Sequence, residues 1–533
     1  MEGNAAPAVT LRRELHHGRV VSCHTQRPAN IYRMFEQAVA RAPDAVAVVD
    51  GDIRWTYADL AARAERCAAR LDGLGLVPGE RLGILIDNRG DYPVLLIAAA
   101  RLGLIVVPMN IRQRSAETAY ALQDSGAAAL VYEEALAEQL PTRAEVPDVR
   151  HWLVHGEEAA LWSAAVTVAP VRAHPPEHAL DEDAPFCILY TSGTTGRPKG
   201  AVLTHFGCVT TCLGSRDHLG FTEGEAMVLS VPASHVTGIA LVLLLSVCVA
   251  GKVVMQRGFK ARRFLELAQA ERVTYSIMVP AMYKLCLMEP DYGRFDLSRW
   301  RIGAYGGAPM DGATIGMLAD STPRLTLVNI YGSTETTSPA VMMPLGEGPS
   351  RPDQVGRPLP YAEIAIMDPD GRECARGEQG EIWIAGPMVV PRYWNNPEAT
   401  ERNFTGGYWR SGDIGTMDAQ GYIRVLDRKK DMINRGGFKI YSVEVENVLM
   451  AHAAIVEAVV VGRPCPVLGE RVEAFVVTCQ EIEEDALRAF CAQRLSDYKV
   501  PDHVRAVPGP LPRNANGKLL KNVVRGWLPE DSA

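Results

Sequence analysis

Thr191–Gly200 reads TSGTTGRPKG. Four hydroxyls, three glycines and a lysine crowd into these ten residues, directly after the apolar run Phe186–Tyr190. Glycine lets backbone N–H groups approach an anion, Ser and Thr add short donors, and Lys199 adds a movable positive charge. Such a loop is suited to wrapping phosphate. The common nucleotide loop, G-x-x-x-x-G-K-[ST], sets Lys and a hydroxyl directly after its last Gly and then opens a helix. Here Arg197 and Pro198 separate Gly196 from Lys199, Gly200 stands in the hydroxyl position, and Ala201–Leu203 continue as a strand. A Walker-type NTPase is therefore disfavoured, and a plain Gly/Thr-rich surface loop is the competing reading.

Six further stretches lie downstream. Val231–Gly238 (VPASHVTG) sets His235 inside apolar sequence, where a single His is most often a satisfied core residue. Gly303–Met310 (GAYGGAPM) reads as a strand running into a glycine turn. Asn329–Glu335 (NIYGSTE) puts an aromatic ring, hydroxyls and a carboxylate at a strand end, which suits base stacking, phosphate binding and a hard cation. Tyr408–Gly415 (YWRSGDIG) is followed by the charged connection Leu426–Ile433 (LDRKKDMI). The last, Pro512–Lys518 (PRNANGK), has a lysine that would ordinarily be a solvated turn residue.

Taken in this order, the motifs resemble the adenylate-forming (AMP-binding) superfamily, which includes acyl-CoA synthetases, luciferases and peptide-synthetase adenylation domains. The resemblance spans about Ile31 to about Arg525. It implies that Thr191, Ser192, Gly193, Thr194, Thr195 and Lys199 wrap the phosphates of ATP. By the same likeness, Gly306, Gly307 and Ala308 lie against adenine, Tyr331 stacks on it, Thr334 contacts the α-phosphate and Glu335 holds Mg²⁺. Asp413 binds ribose, Arg428 contacts the nucleotide, and Lys430 is the hinge of a small mobile domain. Lys518 delivers an ammonium to the acid and the α-phosphate, His235 lines the acyl pocket, and Gly436 and Gly437 flank a channel for coenzyme A. Two departures stand out: Ser411 where many relatives have Thr, and Asp427 where Gly is more frequent.

A chain of 533 residues exceeds what one core usually supports. The domains expected are an extension over 1–29, an AMP-binding domain over 30–429 and a mobile domain over 430–533. The fold class expected is α/β: a large layered domain with a β-rich part, then a small hinged α+β domain. Residues up to Ala29 read as loosely held. Thr56, with Asp59 three residues on, caps a helix whose Leu60, Ala64, Cys67 and Leu71 share one face, ended by Gly73. Leu82–Ile86, apolar Val94–Val107 and Ala127–Tyr132 follow as buried segments of layered α/β architecture. From Gly356 the pattern turns to short alternating strands, Glu363–Met367 and Glu381–Ala385, joined at Asp370–Gly371. Beyond the hinge, Ser442 caps a helix to Met450, Ile455–Val461 and Val472–Thr478 are strands, and a helix spans Glu483–Leu495 before a strand near Val504.

A net charge of -8 argues against a nucleic-acid protein. Eleven scattered cysteines without a CxxC pair read as buried thiols rather than a metal site, including Cys208 and Cys212 beside His205. No secretory signal is read, and the longest apolar run, Ile239–Ala250, is too short to cross a bilayer. These features point to the cytoplasm. The activity expected is that of an ATP-dependent acyl-CoA ligase acting on an aliphatic or aromatic monocarboxylate, with ATP, Mg²⁺ and coenzyme A as cofactors. The partners expected are small molecules, with neither nucleic acid nor an integral membrane segment, and a homodimer is left open. The alternatives are an adenylating enzyme that delivers to a carrier protein, a short-dicarboxylate (malonate-like) ligase, and a catalytically idle binding protein. No carrier-protein domain is expected after Ala533, no long insertion marks the hinge, and Arg301 is the sole nearby cation for a second carboxylate, read as lying outside the pocket.

Overall fold

The structure is a computed structural model that describes residues 10–155, 178, 180–191, 197–513 and 519–528. The chain forms two compact units. The larger holds residues 1–310, 314–364 and 384–409; the smaller holds 311–313, 365–383 and 410–533.

Two sheets carry the larger unit. One has nine strands, and its central six are parallel: Thr326–Ser333, Ile302–Gly306, Tyr275–Met278, Ala226–Leu229, Lys252–Met255 and Val46–Asp50, in that spatial order. Antiparallel strands close both edges, Ser338–Met342 and Arg357–Pro358 on one side and Ile53–Thr56 on the other. The second sheet has six strands, ordered Lys199–Thr204, Pro185–Thr191, Ile105–Pro108, Arg81–Leu85, Ala127–Glu133 and His151–His155. Its first pair is antiparallel and the rest are parallel.

Local chemistry explains the elements between them. Helix Tyr57–Gly73 opens on a reciprocal capping box between Thr56 and Asp59 and buries Leu60, Ala64, Cys67 and Leu71. Helix Asp91–Leu102 is buried on nearly every side and ends at Gly103, whose φ of 69° a glycine adopts without strain. The apolar run Ile239–Cys248 is helical, wound as a π-helix over Ile239–Leu244, and buried throughout. Among the described residues, no helix is long and apolar enough to cross a membrane.

The amino-terminal segment differs from its expected loose character. Leu11–His16 and Arg19–His24 pair as an antiparallel hairpin, and Val21 and Cys23 pack against Phe206. Arg27 fastens it by bonding both Glu14 and Glu182 at 2.7 Å. Charged residues on an edge hairpin hide their partners, because those partners lie far along the chain.

In the smaller unit, strands Phe438–Ile440, Ile433–Arg435, Gly469–Thr478 and Ile455–Cys465 form one sheet, and His503–Ala506 pairs with Gly469–Thr478. Val445, Leu449, Val460, Val472, Leu487, Cys491 and Val504 form its core beneath helices Ser442–Met450 and Glu484–Ala492. Ser442 is not the cap expected of it. Tyr441 occupies that position, and the Ser442 N–H and Oγ instead donate to the buried Asp427 carboxylate. That carboxylate lies at the helix N-terminus, where the backbone dipole favours negative charge.

Candidate active site

The phosphate-loop stretch joins two antiparallel strands, with Thr191 opposite Lys199 and Thr191 Oγ1 donating to the Lys199 carbonyl at 3.4 Å. Ser192, Gly193, Thr194 and Thr195 lie outside the described residues. Gly200 is required by packing, since a Cβ there would sit 2.7 Å from Ile188 Cγ2. The Lys199 ammonium lies 5.0 Å from the ring centroid of Tyr393. Burial lowers its pKa, and nearby Glu335 partly offsets that.

Strand Thr326–Ser333 leads straight into a tight turn, Thr334–Thr336, that carries Thr334 and Glu335. Two backbone features hold this turn. Gly332 approaches so closely that a Cβ would meet the Ser338 carbonyl at 1.8 Å, and Thr337 and Ser338 take φ values of 49° and 87°. Left-handed backbone at two consecutive non-glycine residues is costly and persists where surrounding structure enforces it. Thr337 Oγ1 donates to the Met388 carbonyl at 2.7 Å, fixing the turn to the segment before Tyr393.

Glu335 is only 7% exposed. Tyr393 Oη donates to one of its carboxylate oxygens at 2.9 Å and Ser333 Oγ to the other at 2.6 Å. Both donors are neutral hydroxyls, and a buried carboxylate so held suits a hard divalent cation. The Glu335 charge and burial together push the Tyr393 phenol upward, burial being the larger cause. Tyr393 was not among the residues singled out in the sequence. It lies 58 positions from Glu335, so no local spacing could signal it.

Gly306 ends the strand beside Ile330, and a Cβ on it would fall 2.4 Å from the Ile330 carbonyl. Gly307 turns the chain with φ 77°, and Gly307 and Ala308 are exposed. Tyr331 follows Ile330 on the neighbouring strand. Gly307, Ala308, Tyr331, Thr334 and Glu335 thus gather at the carboxyl end of two parallel strands, the usual side for ligands in open α/β sheets.

His235 precedes the short helix Val236–Gly238. The Thr237 N–H donates to its Nδ1 at 3.3 Å, leaving the proton of the neutral ring on Nε2. Burial pushes the imidazole down to about 4. Asn88, also missed in the sequence, aims this segment: its amide donates to the carbonyls of Leu229, Val231 and Gln256 and accepts from the Ala233 N–H at 2.8 Å. Arg301 is paired with Glu225 at the opposite, amino end of strand Ile302–Gly306.

Within the smaller unit, Asp413 and Arg428 are cross-strand partners, with Arg428 Nε 3.1 Å from Asp413 Oδ1. Ser411 Oγ accepts from the Asp413 N–H at 3.0 Å. Arg525 reaches the Lys430 carbonyl at 3.3 Å and the Asp431 carboxylate at 2.9 Å. Gly436 and Gly437, with φ of 59° and 88°, make the two-residue turn between Ile433–Arg435 and Phe438–Ile440. Arg435 is committed to Tyr498, Val500 and Asp502, whereas Lys439 is exposed. Lys518 lies outside the described residues.

Residues 35–394 match the AMP-binding enzyme family, and residues 444–518 match the AMP-binding enzyme C-terminal domain. A feruloyl-CoA synthase of an Amycolatopsis species is 33% identical over 486 residues, covering 91% of this chain and 96% of that one. The fatty acid–[acyl-carrier-protein] ligase ScoC of Streptomyces coeruleorubidus is 34% identical, covering 90% and 92%. Among solved structures, the o-succinylbenzoate CoA synthetase MenE of Bacillus subtilis bound to its acyl-adenylate OSB-AMP aligns with a TM-score of 0.80 at 29% identity, covering 94% and 98%. The same enzyme with ATP and magnesium ion gives 0.81. With both matched segments and relatives aligned along nearly their whole length, the chain belongs to the AMP-binding enzyme family.

Proposed function

We propose that this protein is an ATP-dependent acid–thiol ligase that joins an aliphatic or aromatic monocarboxylate to coenzyme A through an acyl-adenylate. In the first half-reaction a carboxylate oxygen attacks the α-phosphorus of ATP and the bond to pyrophosphate breaks. In the second, the coenzyme A thiol loses its proton and attacks the acyl carbonyl, and AMP leaves. The difficulty of the first step is bringing two anions together.

Glu335 and the turn around it hold Mg²⁺, which when bound screens the phosphate charge. Thr191, Ser192, Gly193, Thr194, Thr195 and Lys199 wrap the phosphates, and Thr334 contacts the α-phosphate. Tyr331, Gly307 and Ala308 take the adenine, while Asp413 takes the ribose with Arg428 beside it. Lys518 neutralises the charge gathering between carboxylate and α-phosphate, His235 lines the acyl pocket, and Gly436 and Gly437 border the path of coenzyme A. Residues 30–429 act as the adenylating body and residues 430–533 as the domain that turns about Lys430. The protein acts in the cytoplasm, where its eleven unpaired thiols would stay reduced.

The observation that carries this proposal is the buried Glu335 carboxylate, gripped by two hydroxyls with Lys199 nearby. Pairing of Arg301 with Glu225 supports an acid with one carboxylate. ATP–pyrophosphate exchange over a panel of carboxylic acids tests it. Acid-dependent exchange, with thioester formed only when coenzyme A is added, is the expected result; absence of exchange with every acid would point to a binding protein. The likeness to ScoC favours a second acceptor, a carrier-protein thiol, which the same assay detects as acyl transfer to a carrier protein in place of coenzyme A.

A further inference from the structure

The proposed hinge at Lys430 is bridged by contacts that a turning domain has to break. Strand Ile423–Arg428 lies before Lys430 in the chain, and Tyr441 and helix Ser442–Met450 lie after it. The Ser442 N–H donates to Asp427 Oδ2 at 2.5 Å, and the Ser442 hydroxyl donates to the same oxygen at 2.7 Å. The other carboxylate oxygen accepts from the Arg428 N–H at 2.7 Å. Tyr441 Oη donates to Gln379 Oε1 at 2.5 Å, and Gln379 also precedes the hinge. Two adjacent residues beyond Lys430 thus grip two separate segments ahead of it.

These bonds are shielded from water. Asp427 is 3% exposed, Ser442 0% and Tyr441 8%. A buried carboxylate deprived of its donors is costly, so the contacts favour the orientation in which they form. Lys521 reinforces them. Its ammonium donates to Ser442 Oγ and pairs with Glu446 Oε1 at 2.7 Å, so the Ser442 hydroxyl proton is turned toward Asp427. Lys521 opens the helix Lys521–Arg525, three residues beyond Lys518. Arg525 behaves differently: it holds the Lys430 carbonyl and Asp431, at the hinge and just past it, and those contacts travel with the domain. Packing agrees with a bridge. The smaller unit takes in residues 365–383 and the strands from Arg410 onward, which precede Lys430.

We propose that Asp427 and Gln379 are positioning residues for the two half-reactions: through Ser442 and Tyr441 they latch residues 430–533 in one of the two orientations the reaction uses and release them for the other. This rests on the ligase reading and on Lys430 as its pivot. The latch acts through the orientation of the domain and not on the reacting atoms. On release, water takes over the freed donors and acceptors, so the bias is moderate and the domain still turns. Two hydrogen bonds to a carboxylate bias the orientation by about 10- to 100-fold, and the neutral phenol-to-amide bond by about 2- to 10-fold.

Single-turnover kinetics tests the latch, with adenylate formation from ATP and acid followed separately from thioester formation on supplied acyl-adenylate and coenzyme A. Asp427→Asn keeps the shape of the side chain and removes its charge. Tyr441→Phe removes only the bridging hydroxyl and leaves the ring packed. In each variant the same one half-reaction should gain rate, by about 10-fold for Asp427→Asn and about 2- to 10-fold for Tyr441→Phe, while the other does not gain. General loosening of the fold slows both half-reactions, so a gain is the readout that a merely structural role does not produce. No gain in either half-reaction, or gains in opposite half-reactions for the two variants, would overturn the latch and leave the ligase reading standing. An unaltered chain that runs neither half-reaction would overturn both.

Discussion

Two hydroxyls fix the Glu335 carboxylate, and they do different amounts of work because only Tyr393 reaches it from a distant part of the chain. Tyr393→Phe removes one donor while leaving the ring packed. The Mg²⁺ concentration for half-maximal exchange is expected to rise about 10- to 100-fold, as for other groups that orient a metal ligand. Glu335→Gln removes the charge itself, and a loss of about 100- to 1000-fold in exchange rate is expected at saturating Mg²⁺. His205 makes a separate prediction about stability. It is fully buried, and desolvation lowers its pKa to about 4 from 6.5. As pH falls below 6.5 the unfolded chain takes up a proton that the folded chain refuses until about pH 4. Folding stability is therefore lost across that window, by roughly 3 kcal/mol at its lower end. Urea unfolding of His205→Gln should show a flatter dependence on pH between those limits. At this scale the motifs singled out Glu335 and His235 as candidates, whereas Tyr393 and Asn88 act through contacts that only folding creates.

Elements differ in how openly the chain displays them. Helix Tyr57–Gly73 is legible because one face is dry and one is wet, and because Thr56 and Asp59 spell its start. Helix Asp91–Leu102 is buried nearly all round, so its residues lose the periodic contrast that marks a helix, and an apolar run is all that remains. The hairpin Leu11–His24 hid its order in long-range ion pairs. Asp427 shows a departure that the structure explains: it pairs with Ile414 beside a one-residue register shift in the ladder, and its carboxylate serves the start of helix Ser442–Met450. Asp427→Asn is expected to cost about 1–2 kcal/mol in unfolding of the smaller unit. Lys521, which contacts both Ser442 and Glu446, should be loosened with it, seen as faster amide exchange across Lys521–Arg525. In the larger unit, Asn88→Ala strands buried carbonyls over Leu229–Gln256. A stability loss of at least about 2 kcal/mol is expected, with a raised KM for the acid because the segment carrying His235 loosens.

For the whole molecule, the order of motifs along the chain revealed the family, since each motif is written in a short stretch of local sequence. Composition conveyed less: the partition of residues 365–383 with the smaller unit depends on packing across long separations. On the proposed mechanism one chain runs two half-reactions with different residues, and Lys518 is assigned to the first alone. Its most direct test is single-turnover kinetics of Lys518→Ala, with adenylate formation from ATP and acid measured separately from thioester formation on supplied acyl-adenylate. Loss of the first by about 100-fold or more with the second largely intact is the predicted result; equal loss of both, or loss of the second alone, would contradict it.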